Sequence, residues 1–323
     1  VQNPESNKLG EGLDLESLAS AVAISGYPLQ IEIARQLSDE YSIEHEWSFV
    51  DPQTGQTRTL DILANLMLYN TADGKRVYPA ANALIECKQS VMPHIFFPAD
   101  GPPPSSSTPI LAGLFDDTVN IHYGKGFELI ARVADMIVPS DHPYLTTPHF
   151  CYTFSKAARK GKSLELCGSD AYQSLILPLV KSLSHFKSAR KPRSTYLYLS
   201  LEMAFAIGVI DGPMLVAKQG RLEFTPWVRV YRHEHVHVED GPAFGTRFAI
   251  DLVHKDYLTE FLDTYLKPFA EAIAERSIKH HVVLAEREGL APQGWLRNSY
   301  DDIVPVQVER DEQMVRIDDI RRH

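Results

Sequence analysis

The sequence predicts an α/β fold, and three features carry that expectation. A helical row (Leu29, Ile33, Leu37, Tyr41) is followed at once by runs of strand length and strand alternation. A second helical pattern, 169–186, leads into the apolar run 196–209. After three more short apolar runs the chain ends its patterned part in a long helical stretch, 256–287. With 323 residues, 44% of them hydrophobic and 23% charged, the chain can build a large core without disulfide or metal staples.

The elements follow in order. Leu15–Ser25 is expected as a short helix ended by Gly26, and Pro28 opens the next, which runs to Tyr41. Residues 42–50 alternate as a strand, Asp51-Pro52-Gln53-Thr54-Gly55 has turn chemistry, and 57–69 returns as the second arm of a hairpin. A loop around Asp73-Gly74 precedes a third, buried strand, 83–88. The segment 98–109, PADGPPPSSSTP, cannot continue helix or strand. Residues 126–138 have helical spacing, and 169–186 is expected as a helix kinked at Pro178. Strands are expected at 196–209, 214–217, 222–230 and 248–253, with a tight turn at 208–213. One domain spans 1–323: a core of about 20–205, an extension of about 206–288, and a charged tail, 289–323.

Composition excludes several classes. No apolar run reaches the ~20 residues of a membrane span. The polar start, Val1–Leu9, does not read as a signal peptide. Cys87, Cys151 and Cys167 are too scattered for a disulfide framework or zinc ribbon; they fit a cytoplasmic setting, and Cys151 and Cys167 read as small buried residues. The net charge of −10 argues against a uniformly basic protein. Residues 156–193 nevertheless hold nine basic and two acidic side chains, so this stretch stands at +7 and the rest at −17.

The chemistry concentrates in 57–90. On a strand Glu86 and Lys88 share one face, and a carboxylate and ammonium inside the apolar run Ala-Leu-Ile-Glu-Cys-Lys are costly unless paired or used. Asp61 sits between Leu60 and Ile62 in the preceding strand. If the two strands are neighbours, Asp61 and Glu86 converge, and two close carboxylates call for a cation. Carboxylate oxygens and water suit Mg²⁺ or Mn²⁺. Glu32, on the helix before the hairpin, is a third candidate carboxylate.

A Glu-bearing helix, a hairpin with Asp on its second strand, and a third strand with Glu-x-Lys together resemble the PD-(D/E)xK nuclease superfamily, the fold of many restriction endonucleases. The resemblance covers about 26–98 and extends loosely to the helix 169–186 and the strand 196–201. The residue before Asp61 is Leu60 rather than Pro, a position the superfamily varies widely. The resemblance implies a restriction-endonuclease-like core with a mixed central sheet flanked by helices, extended C-terminally by further strands and a long helix. It implies a Mg²⁺- or Mn²⁺-dependent nuclease cutting phosphodiester bonds, in DNA by preference, in prokaryotic defence or DNA processing. Asp61 and Glu86 would bind metal, Lys88 would assist the water or the scissile phosphate, Glu32 would support the site, and Gln89 follows the motif closely enough to reach it. Lys181, Lys156, Lys160 and Lys162 are candidates for phosphate contact. A homodimer or partner subunit is compatible with such a fold.

Two other readings belong beside this one. The same fold can serve as a non-catalytic nucleic-acid-binding or interaction module of a larger complex. His233, His235 and His237 alternate on one strand and could hold Zn²⁺ or Ni²⁺, though no hydrolase motif accompanies them.

Overall fold

The computed structural model describes residues 1–69, 76–103, 108–124, 126–192, 199–234, 246–292, 294–295 and 299–306. The chain begins with α1 (Leu15–Ala23), capped by the Asp14 carboxylate on the Ser17 N–H, and α2 (Tyr27–Leu37), with Pro28 in its first turn. Strands β1 (Ser42–Val50), β2 (Thr57–Met67) and β3 (Val77–Gln89) follow as an antiparallel run. Then come β4 (His94–Pro98), β5 (Ile110–Ala112), β6 (Thr118–Tyr123), β7 (Phe127–Arg132), α3 (Val133–Ile137) and α4 (Pro143–Thr146). A hairpin of β8 (His149–Lys160) and β9 (Ser163–Cys167) leads into α5 (Gly168–Ala171) and α6 (Leu177–Ala189). Strands β10 (Leu199–Asp211), β11 (Met214–Lys218), β12 (Arg221–Phe224), β13 (Trp227–Glu234) and β14 (Thr246–His254) precede α7 (Leu258–Phe261), α8 (Lys267–Lys279) and α9 (His281–Glu286). Short strands β15 (Glu288–Leu290) and β16 (Val304–Pro305) close the described chain.

Among the described residues twelve strands form one mixed sheet, in the order β1-β2-β3-β10-β14-β13-β8-β4-β11-β12, with β5 on β10 and β9 on β8. A four-stranded sheet, β16-β15-β6-β7, stands apart. The fold is thus α/β with a large mixed sheet flanked by helices. Strand β10 returns through α6 to lie parallel to β3, as a crossover helix permits. One face of the large sheet packs under α2, α7, α8 and α9, with Leu29, Ile33, Phe261 and Phe269 at its centre. The other packs around the α5–α6 segment through Leu175, Leu179, Leu183 and Phe186.

The sheet curls around that second core. At its far end β3 bends into β4 while β10 bends into β11 alongside it; the Ser90 N–H donates to the Asp211 carbonyl (2.8 Å) and the His94 N–H to the Pro213 carbonyl (2.9 Å). A Cβ on Gly212 would lie 2.1 Å from the Ser90 carbonyl oxygen, so this crossing of two backbones requires glycine. Of the expected turn at 208–213, only Gly212-Pro213 lies outside β10 and β11.

Several sequence expectations differ from the structure: Cys167, expected as buried, is half-buried, and the helix expected over 256–287 breaks at His280 between α8 and α9. Residues 126–138 form β7 and then the five-residue α3 rather than one helix. Residues 222–230 are divided between β12 and β13. The helix expected at 169–186 is interrupted by a π turn, Tyr172–Ile176, placed just before Pro178. The same device recurs at Leu262–Leu266 before Pro268. A proline has no N–H and its ring crowds the carbonyl four residues back, so a wider turn there accommodates it. The loop around Asp73-Gly74 and most of the charged tail lie outside the described residues.

Candidate active site

The site begins with a break in strand alternation. On β2, Ile62 and Ala64 face the α2 core and Leu63 the α6 core, yet Leu60 also faces the α6 core. Regular alternation would have placed Leu60 with Ile62. The strand therefore turns at Asp61. The break has a partner on β1: between the pairs His45↔Ile62 and Trp47↔Leu60 stands Glu46, with φ of +49°.

At this turn Asp61 is held at two atoms. Its Oδ2 accepts the Cys87 N–H at 2.7 Å, extending the β2–β3 ladder with a side-chain oxygen beyond its last paired residues, Ile62↔Ile85. Its carbonyl accepts from Gln30 Nε2 at 2.8 Å. Gln30 is buried on α2. Sequence reading had no cue to it beyond a polar residue within the apolar face of that helix.

Glu86 and Lys88 lie on β3 with Leu84, on the α6 side. Lys88 Nζ donates to Glu86 Oε1 at 2.7 Å. Glu86 Oε2 is buried and has no hydrogen-bond partner among the described residues. Burial raises the Glu86 carboxyl, and the Asp61 charge raises it further, to about 7, against the opposing pull of Lys88. Asp61 is likewise raised, first by burial and then by Glu46, with the Cys87 N–H and Lys88 opposing. Burial works against the Lys88 charge, but Glu86 and Asp61 outweigh it and the ammonium is stabilised. Two carboxylates and one ammonium, paired with Glu86, leave an excess of negative charge in a partly desolvated place. An oxygen-seeking divalent ion fits that donor set, since Mg²⁺ is commonly held by one or two carboxylates with water and substrate oxygens completing its shell. No three His, Cys, Asp or Glu side chains gather into a metal-holding group among the described residues.

Gly208 lies opposite Glu86 in the β3–β10 register. A Cβ there would come within 2.5 Å of Leu252 Cδ2 and 2.8 Å of Leu175 Cδ1. The missing side chain lets the π turn before α6 sit down on the sheet beside the acidic pair.

The remaining candidates are placed elsewhere. Glu32 is half-exposed on α2, against the opposite sheet face from Glu86, and its carboxylate lies 3.8 Å from Lys255 Nζ, which is equally far from Asp211. The structure does not bring it to Asp61 or Glu86. Gln89 ends β3, exposed and opposite Asp211, pointing away from the Lys88 face by strand alternation. Lys181 faces the β1–β2 turn, where it contacts Gln53 and lies 3.5 Å from Asp51. Burial would raise the Asp51 carboxyl, but Arg58 at 2.7 Å, the Gln53 N–H and Lys181 hold it down to about 2. Lys156, Lys160 and Lys162 lie on the β8–β9 hairpin. His233 is the last residue but one of β13, whereas His235 and His237 lie outside the described residues. A separate surface cleft of about 290 Å³, lined by His149, Glu223, Trp227, Tyr257 and Tyr265 among others, contains none of the candidate residues. No helix of the described chain is long and apolar enough to cross a membrane.

No family model, no curated protein and no solved structure matches the chain.

Proposed function

We propose that the chain is a divalent-metal-dependent nuclease that hydrolyses phosphodiester bonds, in DNA by preference. The observation that supports this most is the Asp61–Glu86–Lys88 group: two carboxylates on neighbouring strands, Lys88 paired with Glu86, and one buried oxygen, Glu86 Oε2, without a hydrogen-bond partner among the described residues. The order α2-β1-β2-β3, followed by α6 and then β10, supports it further, because the resemblance to PD-(D/E)xK nucleases implies a helix, a hairpin, a third strand and a later helix and strand in that order.

Asp61 and Glu86 would hold Mg²⁺ or Mn²⁺. The ion, when bound, supplies a water of lowered pKa and offsets charge on the phosphate. The protein does the rest. Cys87 and Gln30 fix the Asp61 carboxylate and backbone before substrate arrives. Lys88 carries its charge at the mouth of the site, where its ammonium can meet a phosphate oxygen. Glu86 must be ionised to serve, so activity should rise through pH 7.

The test is incubation of the full chain with plasmid and single-stranded DNA plus Mg²⁺ or Mn²⁺, beside Asp61→Ala and Lys88→Ala. Metal-dependent cutting lost in both variants is the expected result. Cutting that survives both would overturn the site. An intact protein that binds DNA but cuts with neither metal would favour the non-catalytic binding module.

A further inference from the structure

A basic, exposed ribbon lies outside the proposed site. Residues 156–167, the distal part of the β8–β9 hairpin, hold Lys156, Arg159, Lys160 and Lys162 against Glu165 alone, in a chain of net charge −10. Every residue of 159–166 is exposed. The cations are distributed around the ribbon. Strand alternation puts Lys156, Ala158 and Lys160 on one face and Arg159 on the other. Lys162 occupies the turn beside Gly161, whose φ is +60°. Glu165 offsets part of this charge, with its carboxylate 3.2 Å from Lys160 Nζ.

The inner face of the ribbon continues the face that bears the acidic pair. Glu86 and Lys88 lie on the α6 side of β3, and β4 continues β3 beyond the bend. On β4, His94 pairs with Lys156 and Phe96 with Phe154, and both phenylalanines belong to the α6 core. Lys156 lies near enough to His94 to help lower its pKa, behind the larger effect of burial. Beyond Lys156 the same face reaches Lys160 after four residues, roughly 13 Å of strand.

Cations on both faces and at the tip do not suit a ribbon lying flat on a single strand. They suit one inserted between two phosphate backbones. A two-stranded ribbon fits the major groove of a duplex, about 12 Å wide. There Lys160 would meet one groove wall, and Arg159, with its exposed cross-strand partner Leu164 on the same face, the other.

We infer that the β8–β9 ribbon is the arm by which this protein grips double-stranded nucleic acid. The inference rests on the nuclease reading for its choice of ligand. It is tested by measuring binding of the full chain to a labelled 30-bp DNA duplex in EDTA, across a series of salt concentrations, with Arg159→Ala/Lys160→Ala/Lys162→Ala beside the unaltered chain. Removing about three phosphate contacts should lower the slope of log K against log salt by two to three and weaken binding tenfold or more at 0.1 M salt. Glu165→Gln should tighten binding a few-fold. The conservative variant Lys160→Arg/Lys162→Arg should bind as the unaltered chain does.

A triple variant with unchanged affinity and slope overturns the inference. So does single-stranded DNA binding as tightly as duplex, no duplex binding at all, or the ribbon charges mattering only for anionic lipid vesicles. The two readings fail separately. If the triple variant binds normally while Asp61→Ala abolishes cutting, the arm is wrong and the nuclease stands. If the triple variant loses binding but no metal supports cutting, the arm stands and the nuclease reading falls.

Discussion

Two charged clusters are built into the same sheet, and they differ in how completely they close. Asp251 on β14 is buried in the α8 core with Arg229, Trp227 and Tyr144. Its Oδ1 accepts from Trp227 Nε1 (2.8 Å) and Arg229 Nε (2.9 Å), and its Oδ2 from Tyr144 Oη–H (2.6 Å) and Arg229 Nη2 (3.1 Å). Arg229 also stacks over the Tyr144 ring at 4.2 Å. One carboxylate meets one guanidinium, and both carboxylate oxygens are satisfied twice; of the guanidinium only Nη1 has no hydrogen-bond partner among the described residues. At the other cluster the Lys88 ammonium pairs with Glu86 alone, a second carboxylate, Asp61, acts on it only through charge, and Glu86 Oε2 has no hydrogen-bond partner among the described residues. The contrast lies in the carboxylates: a buried carboxylate that serves structure has both oxygens occupied, whereas one kept for a ligand leaves an oxygen open.

The largest expected effect breaks the closed cluster. Asp251→Ala strands Arg229 in an apolar core, and unfolding by urea should show a loss of about 3–5 kcal/mol. Glu86→Gln should lie within about 1 kcal/mol of the unaltered chain, because Lys88 is about one-third exposed and can turn to water. Equal losses at both clusters would erase the distinction. Next in size is Gly208→Ala, whose added Cβ collides with Leu175 and Leu252; overpacking of this kind costs about 1–3 kcal/mol.

The open cluster should reveal itself through pH. The Glu86 carboxyl is raised from its ordinary 4.5 to about 7 in the folded chain. Between those values the folded state holds a proton that the unfolded state has released, so the contribution is full below about pH 4.5 and falls as pH rises to 7. Thermal unfolding at a series of pH values should show that decline, and Glu86→Gln should flatten it. Mn²⁺ at a hundred times its dissociation constant should return about 2.7 kcal/mol at pH 8. A chelator should remove that gain, and Glu86→Gln should show none of it. A wild-type chain indifferent to Mn²⁺ at pH 8 would mean that the spare oxygen holds no ion.

How much of this could be read from the sequence depended on distance along the chain. Glu86 and Lys88 are two residues apart, and strand alternation alone puts them on one face. The hairpin that delivers Asp61 is also local, signalled by Asp51-Pro52 and Gly55. The break at Asp61 was hidden, since it depends on Glu46 adopting a positive φ across the hairpin. So was the Asp251 cluster, whose members span Tyr144 to Asp251 and meet only through sheet order. The segment 126–138 misled because Phe127, Leu129 and Ala131 also satisfy a period of two, and pairing with β6 decided for strand. Strand β4 has only remote partners, β8 and β11; β8 does carry a local signal, Gly161 in the two-residue turn to β9, that the sequence reading passed over.

Gln30 sharpens the comparison at the next smaller scale. It touches no metal candidate directly, only the backbone of one. Partners of that kind commonly cost 10–100-fold in metal affinity when removed. Gln30→Leu should weaken Mn²⁺ binding, followed by electron paramagnetic resonance, by about tenfold or more. Gln30→Glu should not rescue it, because a carboxylate cannot donate to the Asp61 carbonyl. Equal Mn²⁺ affinity in Gln30→Leu would make this hydrogen bond purely structural.

Glu32 supplies the smallest expected effect and the clearest contrast with Gln30. The two residues are neighbours on α2, separated only by Ile31. Spacing alone favoured Glu32 as a third carboxylate, yet α2 turns Gln30 inward to Asp61 and leaves Glu32 half-exposed beside Lys255. An exposed pair 3.8 Å apart is worth little, so Glu32→Gln should change stability by no more than about 0.5 kcal/mol. Its Mn²⁺ affinity should stay within twofold of the unaltered chain. A tenfold loss would require Glu32 to leave Lys255 and cross to the acidic pair when metal binds, and Lys255→Ala would then tighten binding by releasing it. Unchanged affinity in both variants would fix the site at two carboxylates, with the backbone of one of them anchored from the helix by Gln30.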